Sequence, residues 1–265
     1  MELTGNLSKM DSAFASPVNY FLSFPNEKLQ VDTLIGKPLK INYMGEISCI
    51  KCGRKTSKSF SQGFCFPCFQ NAPETEECVL RPELCRAHEG IARDMDFAKT
   101  HCLIDHYVYL SRTNSIKVGV TRNTQIPTRW IDQGATEAIK LAKTPNRYTA
   151  GLIEVALKNH MPDKTNWRNM LIGKITDERL LTDAKELAYS QLDKDLQQYL
   201  EPDDTITPIQ YPMNDTPVKV NSLNLDKEPV IEGILTGIKG QYLIFDNANV
   251  INIRKFGGYK VRIEF

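Results

Sequence analysis

Strict alternation of apolar and polar residues marks several strands in this chain. At the C-terminus Tyr259, Val261, Ile263 and Phe265 alternate with Lys260, Arg262 and Glu264, as in a half-buried strand. His106–Ser111 and Ile116–Thr121 show the same period and are separated by Arg112-Thr-Asn-Ser, which predicts a hairpin. Its second strand places Ile116, Val118 and Val120 on one face and Lys117, Gly119 and Thr121 on the other. The nearly continuous apolar run from Gln241 to Asp246 predicts a strand covered on both faces. Residues 38–50 alternate around Gly45, which predicts two short strands joined by a turn. Helical spacing appears elsewhere. Ile153, Leu157 and Met161 form one stripe of a helix from Arg147 to Met161. Further helices are predicted from Asp183 to Leu200, from Pro82 to Thr100 and, briefly, from Pro127. Glu137–Ala142 reads as a third strand beside the hairpin, with helix as the alternative.

These elements imply an α+β chain in four segments. Residues 1–48 form an N-terminal β segment expected to pair with the C-terminal sheet, and residues 49–104 are cysteine-rich. Residues 105–204 form an α/β core with a helix, and residues 205–265 an all-β unit, a small barrel or sandwich. The 265 residues, 41% hydrophobic and 25% charged, suit an ordinary soluble protein of one or two domains. No apolar run is long enough for a membrane helix, and Met1–Asp11 lacks the features of a secretory leader. The expectation is a cytoplasmic protein with no membrane partner.

Cysteine spacing changes the picture. Cys49-x2-Cys52 and Cys65-x2-Cys68, twelve residues apart, have the spacing of a zinc ribbon or knuckle. Structural zinc contributes about 10–16 kcal/mol in isolated finger peptides, enough to order a loop too small for its own core. Phe60, Phe64, Phe66 and Phe69 fall in this loop and are expected to form its small core, with stacking on unpaired bases as the alternative. A second site is suggested by Cys78-x6-Cys85-x2-His88, completed by His101, Cys102 or His106. Its alternative is that the cysteines are small buried hydrophobes.

Net charge is only +1, yet charge segregates locally. Residues 112–174 carry eleven Lys and Arg against four Asp and Glu, a local excess of +7. Together with the lysines and arginine of the cysteine loop, this basic stretch points to a nucleic-acid partner.

The stretch from Tyr107-Val-Tyr109 through Lys117-Val-Gly119-Val-Thr121 and Arg129 to Glu154 resembles the GIY-YIG nuclease superfamily, over about residues 105–172. The resemblance implies a small sheet with helices. It makes Tyr109 the residue that activates or orients the attacking water, Arg129 the group that neutralises phosphate charge, and Glu154 the ligand of Mg²⁺ or Mn²⁺. Lys117 stands where the family has tyrosine and Tyr107 where it has glycine, and Arg122 competes with Arg129 for its role. Lys117, Arg122 and Arg129 would contact the nucleic acid.

The chain as a whole resembles a bacterial family, the domain of unknown function 2797. It does so through Cys49-Ile-Lys-Cys-Gly-Arg, Arg81-Pro-Glu-Leu-Cys, Arg129-Trp-Ile-Asp-Gln-Gly-Ala and Gly237-Ile-Lys-Gly-Gln-Tyr-Leu, among other stretches. Two readings of function stay open: a metal-dependent phosphodiesterase, and a non-catalytic nucleic-acid-binding or protein-docking scaffold with purely structural zinc.

Overall fold

The alternating segment that begins at Pro38 forms one eleven-residue strand, Pro38–Ser48, with Leu39, Ile41 and Ile47 buried. The computed structural model describes residues 1–25 and 27–265. Strand Pro38–Ser48 pairs antiparallel with both Val230–Lys239 and Tyr259–Glu264. The turn expected at Gly45 is therefore corrected. Tyr43 faces Val261 and Ile47 faces Tyr259, so the extra residues form a bulge at Gly45, whose φ is +75°. A glycine in a left-handed conformation serves a bulge as readily as a turn, and ladder partners on both sides keep this strand continuous.

The chain divides into two units, residues 1–70 with 210–265, and residues 71–209. In the first, the main sheet runs in the order Glu2–Asn6, Tyr259–Glu264, Pro38–Ser48, Val230–Lys239, Tyr242–Phe245, Asn249–Asn252, Asn221–Ser222. Leu243, Ile244 and Phe245 are fully buried, so strand Tyr242–Phe245 is covered on both faces. A smaller sheet joins Asp11–Ala13, Asn19–Ser23 and Lys28–Gln30.

The second unit is built on an antiparallel sheet in the order Thr207–Pro208, Glu137–Thr144, His106–Arg112, Ile116–Arg122. The hairpin pairs in unbroken register from His106 opposite Arg122 to Arg112 opposite Ile116. Val108, Leu110, Ile116, Val118, Ile139 and Leu141 form a core with Ile153 and Leu157 of helix Arg147–Leu157 and with Leu181 and Ala184 of helix Leu181–Ser190. Each large side chain buried there contributes about 1.5–3 kcal/mol. Asn146 caps helix Arg147–Leu157 by accepting from the Thr149 N–H at 2.9 Å.

Two predicted helices change. The segment 82–100 holds two 3₁₀ turns, Pro82–Leu84 and Ala87–Glu89, and then helix Met95–His101. Gly90 at φ +80° ends the second turn, and Asp94 caps the helix by accepting from Phe97 N–H at 3.0 Å. The segment 183–200 splits into Leu181–Ser190 and Lys194–Gln197. Among the described residues no helix is long and apolar enough to cross a membrane.

Candidate metal centres and a polar cleft

Strand Pro38–Ser48 delivers Cys49 into a tight knuckle. Cys49 N–H donates to Arg54 O at 2.9 Å, Gly53 N–H returns to Cys49 O at 2.9 Å, and Gly53 takes φ +70°. The second pair brackets the start of helix Phe66–Asn71, with Cys65 just before it and Cys68 within it. The four sulfurs all lie within 4.8 Å of one another, and Cys52 Sγ stands 3.8 Å from Cys65 Sγ. Tetrahedral zinc with Zn–S near 2.3 Å places its sulfurs about 3.8 Å apart, so the cluster is close enough to hold zinc. Burial pushes the Cys49 thiol up, but backbone N–H groups of Cys65, Cys52 and Lys51 outweigh it and bring the thiol down to about 6. That suits a metal-binding thiolate.

Phe60 packs against Phe66 and Phe69 with centroids 5.4 and 5.8 Å apart, while Phe66 and Phe69 keep part of their surface exposed. The ribbon sits against the turn before the last strand. A Cβ on Gly257 would collide with Gln62 O, and one on Gly258 with Ser48 O.

Cys78, Cys85 and Cys102 form the second cluster, again with all sulfurs within 4.8 Å and all three buried. Cys102 follows helix Met95–His101, and its N–H donates to Ala98 O at 2.7 Å. The cluster takes Cys102 as its third donor and does not include His88, which stacks on Tyr148 at 4.3 Å between centroids. His101 stacks on Phe97 at 3.7 Å and is likewise outside it. His106 Nδ1 meets Ile104 O at 2.8 Å, and its buried Nε2 has no partner among the described residues. Burial pulls the His106 pKa down to about 4, so its ring is neutral at pH 7.

The residues expected to carry chemistry converge at the edge strand Ile116–Arg122. A polar cleft of about 150 Å³ is lined by Val118, Gly119, Arg129, Gln133, Glu154, Lys158 and Asp163, with Val79, Leu80 and Pro82 forming a wall. Tyr109 faces Gly119 across the hairpin, is fully buried and donates to Gln133 Oε1 at 2.8 Å. A Cβ on Gly119 would stand 2.6 Å from the Tyr109 hydroxyl, so only glycine leaves room for that hydroxyl. Burial raises the Tyr109 pKa, opposed by the charge and hydrogen bond of Arg129. Arg129, on helix Thr128–Asp132, makes no ion pair with a carboxylate among the described residues.

Glu154 lies on helix Arg147–Leu157, 3.9 Å from Lys158 Nζ, which in turn reaches Asp163 at 3.7 Å. Burial raises the Glu154 pKa. Lys158 and Arg129 oppose that rise, and Asp163 and Glu83 reinforce it. Lys117 is buried, and burial with the neighbouring Arg129 charge brings its pKa down to about 8, against the pull of Asp163 and Glu154. Arg122 lies elsewhere. Its electrostatic neighbours are Arg147 and Cys102, which leaves Arg129 as the cleft's arginine.

Gln133, Lys158 and Asp163 were not anticipated from the sequence. Gln133 follows helix Thr128–Asp132 within the run Arg129-Trp-Ile-Asp-Gln, and Lys158 stands one turn after Glu154, the only prior signals for either.

The Lys117 environment predicts a pH-dependent stability. In the unfolded chain the amine holds its proton up to about 10.5, in the folded protein only up to about 8. Between those values the unfolded chain binds more protons, so stability rises as pH increases across the window. Below it the folded state carries the whole penalty, on the order of 3 kcal/mol. Lys117→Met should therefore raise stability near pH 7 and flatten the rise from pH 8 to 10.5 in urea denaturation. Parallel pH profiles for the two proteins would contradict this.

No curated protein and no solved structure matches the chain. One family model does, over residues 36–261, a span that takes in both cysteine clusters and the cleft. The chain belongs to the family described as protein of unknown function, DUF2797.

Proposed function

We propose that the protein binds nucleic acid and hydrolyses phosphodiester bonds in the cleft, with zinc ordering the Cys49–Cys68 ribbon. The observation that carries this reading is the meeting of Arg129 and Glu154 at one polar cleft, with Tyr109 buried just behind its Gly119 wall and bonded to the lining residue Gln133. Those are the positions that the resemblance to GIY-YIG nucleases assigns to water activation, phosphate neutralisation and metal binding.

Arg129, without a carboxylate partner among the described residues, is available to grip a phosphate through two parallel N–H donors. Lys117, buried within the electrostatic reach of Arg129, Asp163 and Glu154, holds a substantial neutral fraction near its pKa of about 8. A hard divalent ion, Mg²⁺ or Mn²⁺, would be held by Glu154 and would supply charge neutralisation at the phosphate. Soft thiolates at the ribbon favour zinc over such hard ions. The local +7 of residues 112–174 draws a polyanion to this unit.

A second reading has its own support. Tyr109 is fully enclosed with its hydroxyl engaged by Gln133, and the Lys158 ammonium already sits within 4 Å of both Glu154 and Asp163. A cleft in that state binds phosphate without cutting.

The two readings part in one screen. Purified protein is incubated with single- and double-stranded DNA and RNA, with and without Mg²⁺ or Mn²⁺. Ion-dependent nicking that Glu154→Ala abolishes, with the fold intact, supports the nuclease. Salt-sensitive binding without cleavage, weakened by charge reversal at Lys117 or Arg129, supports the binder. Absence of binding at low salt sinks both and leaves a protein-docking scaffold.

A further inference from the structure

We propose that Cys78, Cys85 and Cys102 hold a soft metal ion as a second thiolate centre, and that this ion assembles the Glu154 cleft by joining the 78–85 loop to helix Arg147–Leu157. The inference rests on the cleft being the working site described above, and it concerns what builds that site.

The first support is charge. Arg147 is buried, and among the described residues it has no carboxylate partner. Its guanidinium instead donates to Cys78 Sγ at 3.7 Å and to His101 O at 3.1 Å, and its backbone N–H donates to Cys102 O at 2.8 Å. A buried guanidinium without a counter-charge is costly. Three neutral thiols would give it none. Three thiolates around a divalent ion carry a net charge of −1, the complement of one arginine. The trio read as plain buried hydrophobes leaves Arg147 unexplained, whereas a metal centre accounts for both.

The second support is position. Val79, Leu80 and Pro82 lie between two of the proposed ligands in sequence and form the wall of the cleft. The segment they belong to consists of short 3₁₀ turns, Glu77–Val79 and Pro82–Leu84, with no ladder of its own to hold it. It is pressed against the helix, since a Cβ on Gly151 would collide with the backbone of Pro82 and Glu83. Arg147, Gly151 and Glu154 recur at spacings of four and three, which puts them on one face of the helix. That face meets the thiols at its first residue and the cleft at Glu154. A metal ion clamping Cys78 to Cys85 and Cys102 therefore fixes the wall and the carboxylate at once.

The test combines metal counting, hydrogen exchange and Mn²⁺ binding. The wild-type protein should carry two zinc equivalents and Cys85→Ser one. In Cys85→Ser, amide exchange should quicken in both 78–85 and 147–157, and Mn²⁺ affinity, read by electron paramagnetic resonance, should fall at least about tenfold. Arg147→Met leaves every ligand in place and guards against simple misfolding. It should give up its second zinc to a competing chelator about 10–100-fold more readily. Two zinc equivalents retained in Cys85→Ser would overturn the proposal, as would one lost with exchange unchanged in those segments. A wild-type protein with two zinc ions and the exchange response but no Mn²⁺ binding would uphold this centre and sink the catalytic reading of the cleft.

Discussion

Replacing Cys49 and Cys65 together by serine should remove one zinc equivalent and unfold the ribbon from residue 49 to 70. The expectation follows from how little else holds this segment. It has one two-residue strand, Lys55–Thr56, one six-residue helix and four phenylalanine rings, of which Phe64 alone is buried. Cys49 and Cys65 are the two buried sulfurs of the four, so their loss leaves the metal with only the outer pair. Structural zinc is worth about 10–16 kcal/mol in isolated finger peptides, far above what four rings, three of them partly exposed, can replace. The damage should spread to the neighbouring strand end, because Ser48 N–H donates to Gly258 O at 2.8 Å and Ile50 N–H donates to Gly63 O at 2.9 Å. Zinc analysis with amide exchange over 46–70 and 256–262 measures it. A variant that loses zinc yet keeps native protection there would show that the sulfurs meet without holding the fold.

Arg129→Ala should lower ion-dependent strand cleavage by about 10²–10³ while leaving stability nearly unchanged. Arg129 makes no direct ion pair among the described residues, and Glu154, whose charge it favours, keeps Lys158 within 3.9 Å, so removing Arg129 leaves that carboxylate a cationic neighbour. What it does touch is the Tyr109 hydroxyl, whose pKa its positive charge and hydrogen bond lower against the effect of burial. Tyr109 keeps its bond to Gln133, so the hairpin should stay packed. Arg122→Ala makes the comparison informative. Arg122 neighbours Arg147 and Cys102 and not the cleft, so its loss should spare the rate. Equal losses of rate in the two variants would mean that both act only through the general basic field.

The hairpin was legible because its period-two pattern is uninterrupted and its turn residues are polar, so register and face followed from the sequence. The placing of Tyr109 over Gly119 follows from that register alone. The single strand Pro38–Ser48 was not legible, since a glycine flanked by alternating residues signals a turn locally and a bulge only when both neighbouring strands are known. The 82–100 segment misled for a similar reason. Its composition allows a helix, but Pro82, Gly90 and the Asp94 cap divide it into short turns that bring Cys85 toward Cys78 and Cys102. Gln133 and Asp163 carry no periodic signal at all, and only the folded chain places them beside Arg129 and Glu154. The choice between Arg122 and Arg129 likewise needed the fold. Arg122 ends the hairpin opposite His106, whereas Arg129 rides a separate short helix.

On the proposed reading, a divalent ion and a phosphodiester meet in one cleft. Crystals grown with Mn²⁺ and a short oligonucleotide, read by anomalous diffraction, would locate both. A manganese peak ligated by Glu154 is expected, with a backbone phosphate against the Arg129 guanidinium. An oligonucleotide seated away from Arg129, with no manganese at Glu154, would contradict it.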